Sequence, residues 1–358
     1  MRIAYIIHSL NNCGGIERVL TVKANYFAEQ MGYEVWIITG RMKGRAPAFP
    51  LSEKIKRKDL GINDRLLINL GRLRRSLDRA LEQIHPDITV SVGGNDLFVL
   101  PKCGDGSIKV AEFHFSHDKF RLKYGNNLYA AMRTRGLEKA AARFKAFIVL
   151  TKEDQARWIQ CVPRTQQIYN PLTFIPEGCA ALENRSCMAA GRLEPQKNFS
   201  DLISAWKRVD SRHPGWTLDI FGDGAEKEKL SSQIHQAGLD GKVRLRGHSD
   251  RIREELMGHS CLVMSSRFEG FPMILLEAAS CGVPMVSYDC SSGPSELIVD
   301  GKDGFLVRCG DTEALSEAIC RVIEMPRRPL GLAARAKAED FRIEKIMQQW
   351  DDLFRNLL

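Results

Sequence analysis

Short apolar runs rich in β-branched residues alternate with longer amphipathic stretches along the whole chain. This alternation predicts an α/β fold in which parallel strands are joined by crossover helices. In the first half the predicted strands are Ile3–Ile7, Glu34–Thr39, Ile88–Val92, Lys109–Phe113 and Phe147–Thr151. In the second half they are Cys187–Ala190, Thr217–Phe221, Val243–Leu245, Leu262–Ser265, Pro284–Ser287 and Gly304–Val307. Two sets of strands predict two sheets, each with its own core.

The chain has 358 residues, more than one ordinary core holds, so two Rossmann-like domains are expected. Prolines and a glycine interrupt the periodicity around 170–178, which places the boundaries at 1–170 and 171–340. Apolar residues recur at helical spacing through 341–358, and we expect this last helix to pack back on the first domain. Because open α/β sheets bind ligands beyond the carboxyl ends of their strands, two domains facing each other would enclose a cleft.

Composition narrows the class of protein. Hydrophobic residues at 44% and charged residues at 27% are typical of a globular protein, and no apolar run approaches the roughly 20 residues that span a bilayer. The first residues lack the features of a signal peptide. Ten cysteines occur without Cys-x-x-Cys spacing, so neither a zinc site nor a disulfide framework is indicated, and we expect a cytoplasmic protein.

The net charge of +8 is unevenly distributed. Residues 1–170 carry 28 Lys+Arg and 16 Asp+Glu, whereas residues 171–358 carry 24 and 28. The basic first half therefore predicts an anionic partner: nucleic acid, a membrane surface or a phosphorylated acceptor. A nucleic-acid binder is the weakest of these, because aromatic residues are not interleaved with the cations and no known module is present.

The stretch 265–284 is the most informative for function. Glu269 and Glu277 stand eight residues apart, and between them a loop gives way to a predicted helix from Met273 to Cys281. Pro272 suits the first helical turn and Gly282 the position just past the end. The amides and dipole at such a helix start favour an anion. A phosphate there would leave the two carboxylates free to accept hydrogen bonds from hydroxyls on either side of it.

Two predicted strand ends in the first domain carry candidate site residues. Gly14 and Gly15 follow the first strand, where backbone amides can approach a phosphate closely, although a plain tight turn needs no ligand. Their spacing is not the Gly-x-Gly-x-x-Gly of dinucleotide binding. His114 follows another strand, and His117 is close enough to compete for the same role.

The second domain carries the other candidates. Gly191 and Arg192 follow a strand, and Lys197 stands in the same loop, so two cations are available for a diphosphate. Gly222 and His248 follow the next two strands.

Taken in order, these residues resemble the family-four retaining glycosyltransferases, which have the GT-B fold, and the resemblance covers essentially the whole chain. It implies that Gly14 and Gly15 lie against the donor phosphates and that His114, rather than His117, contacts the transferred sugar. It also implies a nucleoside-diphosphate sugar as donor and no other cofactor.

For the second domain the resemblance implies that Arg192 and Lys197 neutralise the diphosphate. Glu269 would bind sugar hydroxyls and Glu277 the ribose hydroxyls. The remaining donor-binding positions that it implies are Gly191, Gly222, His248, Gly270, Phe271, Pro272, Met273, Ile274 and Leu275. Where the family often has Asn-Gly-Val at the domain joint, this chain has Asn-Pro-Leu, which bears on the hinge rather than on the chemistry.

No Asp-x-Asp follows a predicted strand, so no metal is expected, and the cations with the amides near Phe271 would stabilise the leaving diphosphate. The residues around 288–296 resemble family members that use UDP-hexoses or UDP-N-acetylhexosamines. A sugar-nucleotide epimerase or a phosphorylase on the same scaffold is the alternative, because a fold does not fix a function.

The acceptor is less constrained. Residues 65–84 predict an amphipathic helix with leucines on one face and Arg72, Arg75 and Arg79 on the other. Such a helix either lies on an anionic membrane or packs in the core with a solvated basic face. The family often extends lipid-linked glycans, so we expect a glycan or lipid-linked acceptor and association with the cytoplasmic face of the inner membrane.

Overall fold

The computed structural model describes residues 1–62 and 69–358. The described residues form two compact units: Met1–Thr173 together with Ile343–Leu358, and Phe174–Arg342.

A parallel sheet organises the first unit, and in its described part the sheet has seven strands. The strands are β1 (Arg2–Ile7), β2 (Glu34–Thr39), β3 (Lys56–Asp59), β4 (Ile88–Ser91), β5 (Ile108–Phe113), β6 (Ala146–Val149) and β7 (Thr165–Gln167). The helices are α1 (Gly15–Glu29), α2 (Leu70–Ile84), α3 (Lys119–Tyr124), α4 (Leu128–Ala141), α5 (Lys152–Trp158) and, at the end of the chain, α13 (Ile343–Leu357), with short 3-10 helices at Asn95–Phe98 and Leu100–Lys102. The strand order is β3-β2-β1-β4-β5-β6-β7, so the direction of winding reverses between β1 and β4.

Alternate residues of the strands pack against two different layers of helices. Ile3 and Tyr5 of β1 face α1 and α13, whereas Ala4 and Ile6 face the layer that contains α2, α4 and α5. Phe354 of α13 stacks on Phe27 of α1 at 5.6 Å between ring centroids. The last helix is therefore part of the core of the first unit.

The second unit repeats the arrangement. In residues 174–342, all of them described, six parallel strands follow the order β10-β9-β8-β11-β12-β13. The strands are β8 (Ser186–Ala190), β9 (Thr217–Phe221), β10 (Val243–Gly247), β11 (Cys261–Met264), β12 (Met285–Asp289) and β13 (Gly304–Arg308). The helices are α6 (Phe199–Arg212), α7 (Lys227–Gln236), α8 (Ile252–Met257), α9 (Met273–Ser280), α10 (Pro294–Leu297), α11 (Thr312–Glu324) and α12 (Arg327–Ala338), with a 3-10 helix at Glu339–Phe341. Its winding reverses between β8 and β11.

The predicted fold class is confirmed, since both sheets are parallel and each has the strand order of a Rossmann-like domain. The sequence prediction missed β3 and β7, which are the two edge strands of the first sheet. All four residues of β3 are charged and exposed, so β3 lacks the apolar run by which a strand is recognised. Charge on an edge strand discourages pairing with other chains.

The predicted helix at 65–84 is observed from Leu70, and residues 65–68 lie outside the described part. Its leucines at 73, 77 and 81 are buried in the first unit, and Arg72, Arg75 and Arg79 are exposed. The leucine face of α2 is thus occupied by core packing, and only its basic face is available to a partner. Among the helices of the described residues, none is long and apolar enough to cross a membrane.

Candidate functional site

The two glutamates singled out from sequence lie at the reversal point of the second sheet, Glu269 in the loop between β11 and α9 and Glu277 on α9 itself. Helix α9 begins at Met273, and Pro272 is the capping residue just before it rather than part of its first turn. The helix ends before Gly282, whose φ of +68° is the left-handed conformation expected there. Glu269 in the loop is 7% exposed and Glu277 on the helix is 4% exposed. Both carboxylates are therefore held inside the second unit.

Glu269 is paired with Lys197. The Lys197 Nζ atom donates to Glu269 Oε1 at 2.6 Å, and both side chains are mostly shielded from solvent. Lys197 lies in the loop between β8 and α6, which is 72 residues from Glu269 in sequence. The bond uses one of three ammonium protons, so Lys197 retains donors for a second acceptor.

One backbone hydrogen bond and two side-chain-to-backbone hydrogen bonds hold these two loops side by side. The Arg267 amide donates to Gln196 O at 2.8 Å, and Gln196 Nε2 donates to Phe268 O at 2.9 Å. Ser265 Oγ donates to Lys197 O at 3.0 Å. The loops follow adjacent parallel strands, so the network fixes Lys197 and Glu269 at the edge where open α/β sheets bind ligands.

The Gly-Asp-Gly turn after β9 supports the Gly191 loop by close backbone packing. A Cβ atom on Gly222 would lie 1.9 Å from Gly191 O, and Gly222 has a φ of +138°. A Cβ atom on Gly224 would lie 2.4 Å from Leu193 O. Packing therefore accounts for the glycine at 222, and its predicted contact with a donor stays a prediction.

The stretch after β12 packs against the start of α9. A Cβ atom on Gly293 would lie 2.3 Å from Pro272 Cδ, and Phe268 forms a parallel bridge with Ser291. The residues that resemble UDP-sugar enzymes are therefore in direct contact with the loop that carries Glu269.

Two other predicted residues of this unit are exposed and make local pairs. Arg192 Nη1 donates to Glu194 Oε1 at 3.0 Å, and the Arg192 side chain remains largely in solvent. His248 Nε2 lies 2.9 Å from Asp250 Oδ1, and its backbone amide donates to Asp223 Oδ2 at 3.1 Å. The rest of the predicted donor set, Gly270, Phe271, Met273, Ile274 and Leu275, lines the loop and the first turn of α9.

In the first unit, Gly14 is the capping residue of α1 and Gly15 is its first residue. Gly14 has extended backbone angles, so no left-handed conformation requires the glycine. A Cβ atom there would lie 2.4 Å from Glu17 Oε2, and Asn12 Nδ2 donates to Glu17 Oε1 at 3.2 Å. The Glu17 carboxylate thus lies at the helix start where the resemblance implies a phosphate.

His114 lies just past β5 and is 8% exposed. Its Nε2 atom is 3.4 Å from Glu112 Oε1 but makes no hydrogen bond among the described residues. Burial lowers the pKa of His114, Glu112 opposes the shift and Lys23 adds to it. His117 lies elsewhere, with Nε2 3.1 Å from Glu138 Oε1.

A buried ion pair beside His114 was not predicted. Lys23 Nζ of α1 donates to both carboxylate oxygens of Glu112 at 2.6 and 2.7 Å, and its ammonium lies 3.7 Å from the centroid of the Trp350 ring. Burial lowers the pKa of Lys23, against the attraction of Glu112. The sequence did contain a signal for this ion pair: Lys23 stands among the apolar positions of α1, and Glu112 stands inside a buried strand.

His117, Glu138 and Cys161 of the first unit are close enough to share a metal ion. Burial and Glu138 raise the pKa of the Cys161 thiol to about 11. Neither Arg192 nor Lys197, the cations predicted to bind the diphosphate, belongs to this group.

Two family profiles match most of the chain. The profile described as "Glycosyltransferase Family 4" matches residues 13–173, and the one described as "Glycosyl transferases group 1" matches residues 181–339. The chain is therefore a group 1 glycosyltransferase of the family-four type with the GT-B fold, as the resemblance implied.

Individual relatives agree. The chain is 26% identical to an "uncharacterized glycosyltransferase" of Haemophilus influenzae over 98% of both chains. It is also 26% identical to the lipopolysaccharide 1,6-galactosyltransferase of Escherichia coli K12, over 87% of this chain and 86% of the relative. A variant of TarM from S. aureus, crystallised with fondaparinux, α-GlcNAc-glycerol and UDP, has a TM-score of 0.84 over 99% of both chains at 16% identity. At that identity the structural likeness supports the fold alone.

Proposed function

We propose that the protein is a retaining, metal-independent glycosyltransferase. It would move a hexose or an N-acetylhexosamine from a nucleoside-diphosphate sugar, UDP being favoured, to a glycan or lipid-linked acceptor in cell-surface polysaccharide or lipopolysaccharide synthesis. The observation that carries the proposal is the pairing of Lys197 with Glu269 beside the start of α9, at the carboxyl edge of the second sheet.

The chemistry of the reaction explains why these residue types suit the site. When the nucleoside diphosphate leaves, negative charge grows on its phosphate oxygens and positive charge grows on the anomeric carbon. Lys197, Arg192 and the amides near Phe271 would stabilise the phosphate charge in place of a metal, which is often the largest catalytic contribution. Glu277 would accept hydrogen bonds from the ribose hydroxyls, and Glu269 from the sugar hydroxyls.

Retention would follow from attack on the same face of the sugar as the departing phosphate, without an enzyme nucleophile. Burial lowers the pKa of His114, which favours the neutral imidazole, and a neutral imidazole suits a hydrogen bond to a sugar hydroxyl rather than an ion pair with phosphate.

Two similarities favour UDP and a cell-surface product. The TarM variant that shares the fold was crystallised with UDP, and the relative from E. coli is named for galactose transfer to lipopolysaccharide. We extend both properties to this chain as proposals, together with a cytoplasmic location and an anionic membrane surface as partner of the basic first unit. Nucleic acid is not among the proposed partners.

A panel of UDP-, GDP- and ADP-sugars in a thermal-unfolding assay tests the donor, because a ligand that binds the folded state raises its midpoint. We expect UDP-sugars to give the largest rise, and an equal response to all three would contradict the assignment. Turnover separates the reaction classes: a transferase releases UDP only with an acceptor present, whereas an epimerase changes the sugar at C2 without one.

A further inference from the structure

Exposed apolar side chains concentrate in one stretch of the first unit, at helices α3 and α4. Residues 121–129, which run from within α3 to the start of α4, are all exposed. Leu128 is 77% exposed and Met132 is 66% exposed, and Tyr124 and Tyr129 also face solvent. We call residues 115–139 the α3–α4 surface.

Cations surround these apolar groups. The α3–α4 surface contains six basic residues and two acidic ones. The basic residues are Lys119, Arg121, Lys123, Arg133, Arg135 and Lys139. Burial, and after it the nearby charges of Arg133 and Lys123, lower the pKa of Lys119 to about 8.

Aromatic contacts and a helix cap fix the conformation of the α3–α4 surface. Tyr124 and Tyr129 meet edge to face at 5.2 Å between ring centroids, and Tyr124 stacks on Phe120 at 6.4 Å. Asn127 caps α4 by accepting a hydrogen bond from the Ala130 amide at 2.9 Å. The apolar groups are therefore displayed in fixed positions beside Leu128.

Helix α2 adds charge on the same side of the sheet. The leucines of α2 pack in the same core cluster as Phe120 and Leu137, so α2, α3 and α4 belong to one layer. Arg72, Arg75 and Arg79 point away from that core. In this layer, α3 and α4 thus expose apolar side chains and α2 exposes a basic face.

We propose that the α3–α4 surface docks on an anionic lipid bilayer, with Leu128, Tyr129 and Met132 entering the boundary between headgroups and acyl chains. Apolar side chains flanked by Lys and Arg are what interfacial binding to anionic lipid requires. The inference deepens the proposed function, since it brings the enzyme to the surface that a lipid-linked acceptor occupies.

Other occupants fit less well. Leu128 and Met132, the most exposed apolar groups, cannot stack on bases as aromatic side chains do in single-stranded nucleic acid sites. A second copy packed isologously would bring two basic surfaces together, which costs electrostatic energy.

Co-sedimentation with vesicles tests the proposal on the full chain. Vesicles of phosphatidylcholine alone are compared with vesicles that also contain phosphatidylglycerol, at low and moderate salt. We expect binding only to the anionic vesicles. The Leu128→Ser/Met132→Ser variant should bind about tenfold more weakly, because it removes apolar burial. Lys123→Gln/Arg135→Gln should bind about 30-fold more weakly at low salt, since each cation near an anionic surface contributes roughly fivefold.

Leu332→Ser is the matched control, because Leu332 is an exposed leucine (48%) of the second unit, and it should bind as the unmodified protein does. Absence of binding to anionic vesicles, or undiminished binding of Leu128→Ser/Met132→Ser, would overturn the proposal. A dimer in solution that this variant dissociates would overturn it in favour of a second copy. Stabilisation by UDP is measured on the same samples, so failure of membrane docking is distinguishable from failure of the proposed donor site.

Discussion

Lys197 and Glu269 are joined by a 2.6 Å hydrogen bond that links the loops after β8 and β11. The sequence resemblance assigns them separate roles, one to the diphosphate and one to the sugar. Their contact couples those roles, because the carboxylate partly neutralises the cation and also orients it. Changing either residue should therefore alter the environment of the other.

The Lys197→Ala variant should fold and lose transfer. Removing a cation from the position where charge develops on the leaving group is expected to lower kcat/KM by about 100-fold or more. The rate of acceptor-dependent UDP release measures this, and Lys207→Ala, which removes an exposed lysine of α6, is the matched control. Transfer by Lys197→Ala at nearly the normal rate would contradict the role given to Lys197.

The Glu269→Gln variant should separate nucleotide binding from transfer. Loss of the carboxylate charge leaves Lys197 uncompensated, so free UDP should bind as tightly as before or a few times more tightly. Transfer should fall by about tenfold or more, because a charged acceptor for sugar hydroxyls is lost. UDP titration and turnover are measured together, and UDP binding that weakens in parallel with transfer would argue against a role on the sugar.

The Gly222→Ala variant should destabilise the second unit. The new methyl group would lie 1.9 Å from Gly191 O at a backbone φ of +138°, so the loop that carries Arg192 and Lys197 must shift. We expect a loss of about 2–3 kcal/mol in the free energy of unfolding. Gly178→Ala, where a Cβ atom meets nothing within 4 Å, should cost less than about 1 kcal/mol in the same urea titration.

Acid should remove a contribution of Asp219 to stability. Burial alone would raise the pKa of Asp219, but hydrogen bonds from His259 and Arg244 lower it to about 2. A lowered carboxyl pKa stabilises the fold above the ordinary value near 4, and the contribution is lost as pH falls towards 2.

Discounted for solvent screening, this contribution of Asp219 is about 1–2 kcal/mol. The difference in unfolding free energy between the unmodified protein and Asp219→Asn should shrink by that amount from pH 5 to pH 2. Asp352→Asn, at an exposed carboxylate of α13, serves as control. A difference that stays constant over this range would contradict the assignment.

The central strands of both sheets were predictable from sequence, whereas the two edge strands of the first sheet were not. Buried parallel strands are continuous apolar runs, which made the central strands recognisable. All six strands of the second sheet were located from sequence, and Thr217–Phe221 was predicted with the observed bounds. All four residues of the edge strand β3 are charged and exposed, so no apolar run marks it in the sequence.

The contacts of the candidate site were also beyond sequence reasoning. Residue type and position at a strand end were enough to propose Lys197 and Glu269, but their pairing spans 72 residues and depends on which strands are adjacent. For Gly222 the sequence suggested a role that the structure does not require. The glycine was assigned to donor binding, but close packing against Gly191 within the protein already explains it. Likewise, the amphipathic pattern at 65–84 could not show whether its leucines contact a membrane or pack in the protein core.

The proposed donor site depends most directly on whether Glu277 holds the nucleotide. Calorimetric titration of UDP into the full chain should show binding that weakens by about 30-fold in Glu277→Gln, because a charged acceptor for two hydroxyls is worth about 2 kcal/mol. Glu254→Gln, at an exposed glutamate of α8, should bind UDP normally, and thermal unfolding of each variant establishes that it is folded. A folded Glu277→Gln variant that binds UDP as tightly as the unmodified protein would contradict the proposed role of Glu277 in holding the nucleotide.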